Sequence, residues 1–168
     1  MRNPNNRFET VPLAEVLEKA VKVNEKTIGA STGPNGGSKG TTVLVVDDER
    51  VIADTLGTIL RNSGYEAAVS YDAQSALTQC ERINPQLIIT DVIMPGMDGV
   101  EMAMLVRERH PECRILLISG QAATTNLLED ARRRGYDFEL LAKPIHPEDL
   151  LARLATITSA PAQTSSRG

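Results

Sequence analysis

Four short apolar runs in this chain end in residues able to do chemistry. Val43-Leu44-Val45-Val46 leads into Asp47-Asp48-Glu49, and Leu87-Ile88-Ile89-Thr90 leads into Asp91. Ile115-Leu116-Leu117-Ile118 ends in Ser119-Gly120, and the run from Phe138 to Ala142 ends in Lys143-Pro144. An apolar strand that closes on a carboxylate before a turn such as Pro95-Gly96 displays that carboxylate at the carboxyl edge of a sheet. In open α/β sheets ligands bind at that edge. Asp47, Asp48 and Asp91 gathered there would repel one another, and a buried unpaired charge is costly, so a divalent cation is the natural compensation. The candidate donors are all oxygens, which favours Mg²⁺ over Zn²⁺. Lys143 adds a positive charge and Ser119 a hydroxyl. A carboxylate in such a setting can attack phosphorus and become an acyl phosphate. The catalysis would then lie in positioning and charge neutralisation, as phosphoryl transfer requires.

The elements that must position these residues can be read from periodicity. From Thr41 onward strand and helix patterns alternate five times, with strands expected near 42–46, 66–70, 86–90, 114–118 and 138–142. Helices are expected near 50–63, 73–82, 98–109, 121–134 and 147–157. The first of them carries Val51, Ile52, Thr55, Leu56, Ile59 and Leu60 and stops at Gly64, a normal C-terminal signal. The strands around Val45, Ile88 and Leu117 are almost wholly apolar, as expected where helices cover both faces. The reading is an α/β fold, a doubly wound five-stranded parallel sheet of flavodoxin-like order 2-1-3-4-5, with an extra N-terminal helix. That order puts the first and third strands side by side and brings the three acids together.

Flanking segments read differently. Residues 1–28 form an extension in which Leu13, Val16, Leu17, Ala20 and Val21 fall on one helical face, capped by Thr10. A lone helix of that size is marginal in water, so it is expected to dock on its own domain, on a second copy as a homodimer, or on a partner. Residues 29–40 are a Gly- and Ser-rich linker whose root-mean-square span as a flexible coil is about 20 Å. The linker's Gly and Lys do not make a phosphate-binding loop, because Gly40 separates Lys39 from Thr41 and a strand follows where one should precede. Residues 158–168 read as a disordered tail.

Composition narrows the function classes. A hydrophobic content of 41% is globular, and a net charge of -4 argues against a nucleic-acid-binding surface. No apolar run reaches bilayer length and no signal-peptide layout opens the chain, so a cytoplasmic protein without membrane contact is expected. Cys80 and Cys113 lack metal-ligand spacing and read as reduced, partly buried thiols. His110 and His146 each precede a proline and read as turn residues. Taken singly, the strand-end residues have plain structural alternatives: Asp47-Asp48 as helix caps, Ser119 as a turn residue, Lys143 as a solvated charge. Arg132-Arg133-Arg134 before Gly135 complements a helix dipole more simply than it binds nucleic acid.

Taken together, residues 41 to 157 resemble the receiver domain of two-component response regulators. The resemblance rests on Asp47-Asp48, on Asp91 before Met94-Pro95-Gly96-Met97-Asp98-Gly99, on Ser119-Gly120, and on Lys143-Pro144-Ile145. It implies that Asp91 is the phospho-acceptor, receiving its phosphoryl group from a sensor histidine kinase or phosphotransfer protein. It further implies that Asp48 and Asp91 hold Mg²⁺ with the backbone carbonyl of Ile93, and that Asp47 acts through water. Lys143 would pair with the phosphoryl group, Ser119 would bond it, and the bond before Pro144 would be cis. Ile93 would flank the path of the hydrolytic water. One departure stands out: Leu140 occupies the position where receivers carry a switch aromatic, and Phe138 lies two residues earlier. If Leu140 is buried, its truncation should cost about 2–5 kcal/mol.

The expected function is thus a phosphorylation-dependent switch rather than an enzyme. Its output would be a downstream protein contact, since the segments flanking the receiver-like region are too short for a DNA-binding output domain. Two rivals deserve comparison. A haloacid-dehalogenase-like phosphatase also uses Asp, Ser and Lys at strand ends with Mg²⁺. Its nucleophile, however, sits on the first strand in an Asp-x-Asp motif, where this chain has Asp47-Asp48-Glu49. A pure interaction module would have no need of the intact acids and lysine.

Overall fold

The structure, a computed structural model, describes residues 40–120 and 124–159. The N-terminal helix and most of the linker, with the tail from residue 160, lie outside the described residues. The elements are β1 (Thr42–Val46), α1 (Arg50–Asn62), β2 (Glu66–Ser70), α2 (Ala73–Ile83), β3 (Leu87–Asp91), α3 (Gly99–Arg109), β4 (Arg114–Ser119), α4 (Thr124–Arg133), β5 (Glu139–Ala142) and α5 (Pro147–Ser159). All strand pairings are parallel, in the order β2-β1-β3-β4-β5. The doubly wound sheet read from periodicity is the sheet observed.

Successive side chains of a strand point to opposite faces, and this alternation builds two cores. Val43, Val45, Leu87, Ile89, Leu116 and Ile118 pack on one face against Leu56 and Leu60 of α1 and Leu150, Leu154 and Ile157 of α5. Leu44, Val46, Ile88, Ile115 and Leu117 pack on the other against α2, α3 and Ala131 of α4. Each fully buried Leu or Ile contributes about 1.5–3 kcal/mol relative to exposure. The central β3 is buried along its whole length, so whatever stands at its end is anchored in the core of the fold.

The helix ends follow local chemistry. Asp72 caps α2 by accepting from the Ser75 N–H at 2.7 Å, and Asp98 caps α3 by accepting from the Glu101 N–H at 2.8 Å. Helix α2 ends on Asn84 in the left-handed region (φ 43°), which Asn tolerates better than most residues. Arg132 and Arg133 stand in the last turn of α4 and pair with Asp137 at 3.3 Å and Asp130 at 2.8 Å.

Strand β2 is an edge, yet its outer side is not bare. The Arg61 Nε of α1 donates to the Ala67 carbonyl at 2.9 Å, and the Gln79 Nε2 of α2 donates to that of Val69 at 3.3 Å. Side chains from both helical layers thereby occupy groups that an incoming strand would need.

Several boundaries differ from the periodic reading by one or two residues, and three of these shifts concern residues discussed above. Asp91 belongs to β3, because it pairs with Ile118 across the ladder. Strand β5 begins at Glu139, and Phe138 precedes it with its ring buried, stacked on Tyr136 at 6.0 Å between centroids. Helix α5 runs on to Ser159, two residues further than expected. Residues 121–123, expected to open α4, lie outside the described residues.

Candidate functional site

The register of the sheet decides which strand-end residues meet. Val46 pairs with Thr90, so Asp47 and Asp91 follow one another at the ends of adjacent strands. Asp91 pairs with Ile118, and Ser119 pairs with Ala142, which puts Ser119 and Lys143 at the same edge. The carboxylates of Asp47, Asp48 and Asp91 offer oxygens that all lie within 4.8 Å of one another. Asp47 and Asp91 are buried and Asp48 is exposed, so the cluster opens to solvent on one side. This arrangement could hold a metal ion, and its all-oxygen donor set suits a hard divalent cation.

Lys143 reaches over the two buried acids. Its Nζ is 3.4 Å from Asp47 Oδ2 and 3.4 Å from Asp91 Oδ1. Burial alone would disfavour the ammonium, but the charges of Asp47 and Asp91 outweigh it, and the Lys143 pKa is raised above its ordinary value. Asp91 is shifted upward as well. Burial is the main cause, Lys143 pulls the other way, and Asp47 adds to the rise.

The backbone beneath Asp91 is fixed from several sides. The Val92 N–H donates to Asp91 Oδ1 at 2.9 Å and to the Ile118 carbonyl at 2.9 Å. The Thr90 hydroxyl donates to the Asp91 carbonyl at 2.9 Å, and the Gly99 N–H donates to the Val92 carbonyl at 2.9 Å. Helix α3 starts so close to β3 that a Cβ on Gly99 would stand 1.9 Å from the Asp91 carbonyl oxygen. Glycine is therefore required there for close approach. Thr90 and Gly99 were not singled out from sequence, although a lone threonine in an aliphatic strand and a glycine at a helix start were both visible.

The remaining expected residues fall as follows. Asp47-Asp48 do not cap α1: Glu49 is the N-cap and has no side-chain cap bond, while Asp47 Oδ1 accepts from the Glu49 N–H at 2.9 Å. Ser119 is buried, and its hydroxyl shares a hydrogen bond with that of Thr124, a further residue without a sequence signature. The Lys143–Pro144 bond is cis, and the Lys143 N–H donates to the Ser119 carbonyl at 2.8 Å. Ile93 is 43% exposed beside Asp91. Leu140 is 39% exposed, so the large cavity cost expected of a buried side chain does not apply to it. It lies on an edge strand, where helices cover less of the sheet. Phe138 sits in the core with the Arg107 guanidinium 5.8 Å from its ring centroid, and so does not stand in for the missing aromatic.

Comparison with known proteins agrees with this geometry. The family profile described as "Response regulator receiver domain" matches residues 43–155. Nitrogen assimilation regulatory protein NtrX of Azorhizobium caulinodans is 32% identical over 124 residues, which are 73% of this chain and 26% of that protein. DNA-binding response regulator MtrA of Mycobacterium tuberculosis is 30% identical over 112 residues, 67% of this chain and 48% of that protein. The chain thus spans half or less of the length of these curated relatives. Among solved structures, the chemotaxis protein CheY4 of Vibrio cholerae superposes with a TM-score of 0.64 at 29% identity, covering 70% of this chain and 98% of that one. A putative response regulator from Chloroflexus aurantiacus gives 0.64 at 31% identity, covering 73% of this chain and all of that one (100%). Phosphorylation and Mg²⁺ are general features of this family. With the matched residues spanning every strand but the first residue of β1, and the sheet order that of its solved relatives, the chain belongs to the response regulator receiver family of two-component systems.

Proposed function

We propose that the protein is a phosphorylation-driven switch in which Asp91 accepts a phosphoryl group from a sensor histidine kinase or phosphotransfer protein. The observation that carries this reading is the buried Asp91 carboxylate at the end of the central strand, 3.4 Å from the Lys143 ammonium and within one acidic cluster. An oxygen of Asp91 attacks phosphorus as the bond to the donor nitrogen breaks, giving an aspartyl phosphate. Lys143 neutralises one phosphoryl oxygen and the Ser119 hydroxyl donates to another. Asp48 and Asp91, with the backbone carbonyl of Ile93, would hold Mg²⁺, and Asp47 would act on it through water. When bound, Mg²⁺ supplies the positive charge that offsets the acids and the incoming phosphate.

The same reading carries a cytoplasmic location and self-catalysed, slow loss of the phosphoryl group. It also carries output through a protein-binding surface formed by α4, β5 and α5. A net charge of -4 supports protein contact over nucleic acid as the output. Incubation with a small acyl phosphate and Mg²⁺, followed by intact-mass measurement, tests the proposal. Wild type should gain one acid-stable, base-labile phosphoryl group, Asp91→Asn none, and excess chelator should stop the labelling. A labelled Asp91→Asn protein, or a wild type inert to several donors, would overturn it.

A further inference from the structure

Ser119 and Thr124 carry two hydroxyls buried at the carboxyl edge of the sheet, and the two share a hydrogen bond. Thr124 is the first residue of α4 and is 3% exposed. Only Thr124 and Ala131 of that helix are buried, with Leu127 and Leu128 packed in part against the core. The bond to Ser119 ties the first turn of α4 to the end of β4. On β5, Leu140 is aliphatic and 39% exposed, so it offers Ser119 and its surroundings no hydrogen bond in either state.

We propose that Thr124 is a positioning residue for the switch. In the unphosphorylated protein its hydroxyl holds the Ser119 hydroxyl at the start of α4. Phosphorylation of Asp91 transfers the Ser119 hydroxyl to a phosphoryl oxygen and releases the first turn of that helix. This rests on the phospho-acceptor reading above. Conformational bias comes only from contacts that differ between two states, and the Ser119–Thr124 bond exists in one of them. A hydroxyl pair on β4 and α4 thus performs the coupling for which Leu140 has no polar group.

The experiment is titration of the full chain with beryllofluoride and Mg²⁺, followed by amide chemical shifts. Thr124→Val should bind the phosphoryl mimic about two- to tenfold more tightly, the factor a neutral hydrogen bond is worth. Its α4 amides should already lie part of the way toward their liganded positions without ligand. Thr124→Ser restores the hydroxyl and should return the wild-type affinity. In a Ser119→Ala background, Thr124→Val should change nothing. Should valine prevent folding, as judged by circular-dichroism melting, Thr124→Cys keeps the size with a much weaker donor and gives the same comparison. Binding with unchanged affinity in Thr124→Val, or an equal change in the Ser119→Ala background, overturns the latch alone. Absence of beryllofluoride binding in wild type overturns the phospho-acceptor reading and the latch with it.

Discussion

Gly99→Ala is the substitution that most directly tests how Asp91 is held at the end of β3. An added Cβ would stand 1.9 Å from the Asp91 carbonyl oxygen and 3.1 Å from Thr90 Oγ1, whereas real Cβ atoms essentially never come closer than 3.0 Å. Neither obstacle is a flexible side-chain tip. The start of α3 or the end of β3 must therefore move by about 1 Å, and either motion strains the Gly99–Val92 and Thr90–Asp91 hydrogen bonds. Overpacking of this kind costs about 1–3 kcal/mol, and weakening one hydrogen bond adds about 1 kcal/mol. For a domain of this size a loss near 3 kcal/mol lowers Tm by roughly 10 °C. If Asp91 shifts with the backbone, a displacement of about 1 Å can slow phosphoryl transfer by about 100-fold. Melting by circular dichroism reads the first quantity, and acyl-phosphate labelling by intact mass reads the second. Gly96→Ala is the control: Gly96 has a left-handed φ of 79° but open space around it, so it should lose stability without a comparable loss of labelling. A Gly99→Ala protein with wild-type Tm and labelling rate would refute the reasoning.

Leu140→Ala should cost about 1 kcal/mol or less, because the side chain is already partly in solvent; a loss above 2 kcal/mol in urea titration would contradict that. Cys80 and Cys113 should resist alkylation in the native protein at pH 8 and react on unfolding. Burial, with Glu81 second, pushes the Cys80 thiol up to about 11, and burial, with Cys80 second, pushes Cys113 up to about 12. The folded state thus keeps protons that the unfolded chain releases near pH 8.5, so this stabilisation is complete below that pH and is lost as pH rises through about 11 to 12. Stability that climbs between pH 9 and 11 would reverse the sign and reject the argument. Ile93→Asn should shorten the life of the aspartyl phosphate, since an amide can hydrogen-bond the hydrolytic water where Ile93 cannot; equal decay rates would remove Ile93 from the account.

What could be read from the chain, and what could not, divides along physical lines. Strands β1, β3 and β4 are buried on both faces, so their apolar runs announced them and the reactive residues at their ends. The convergence of Asp47 and Asp91 followed from the flavodoxin-like strand order, which sets β1 beside β3, and from the rule that ligands gather at the carboxyl edge. Gly99 and Thr90 were harder, because their role arises from how closely α3 approaches β3, a tertiary distance without a periodic signature. Thr124 was hidden for the same reason: its partner is on another element and depends on where α4 begins. Leu140 was noticed as a departure, but its exposure could not be read, since an edge strand and an inner strand share one alphabet. Phe138 shows the converse case, an aromatic beside the expected position whose ring is buried in the core and stacked on Tyr136.

The clasped edge of β2 bears on how such a switch survives at high concentration. A signalling protein must expose surfaces that change and bind, and a sheet with an open rim would offer neighbouring copies an alternative, irreversible way to associate. With the Ala67 and Val69 carbonyls taken by Arg61 and Gln79, growth of the sheet past β2 would first have to break bonds to two helices. Association through the rim at β2 is thereby disfavoured relative to reversible contacts elsewhere on the surface.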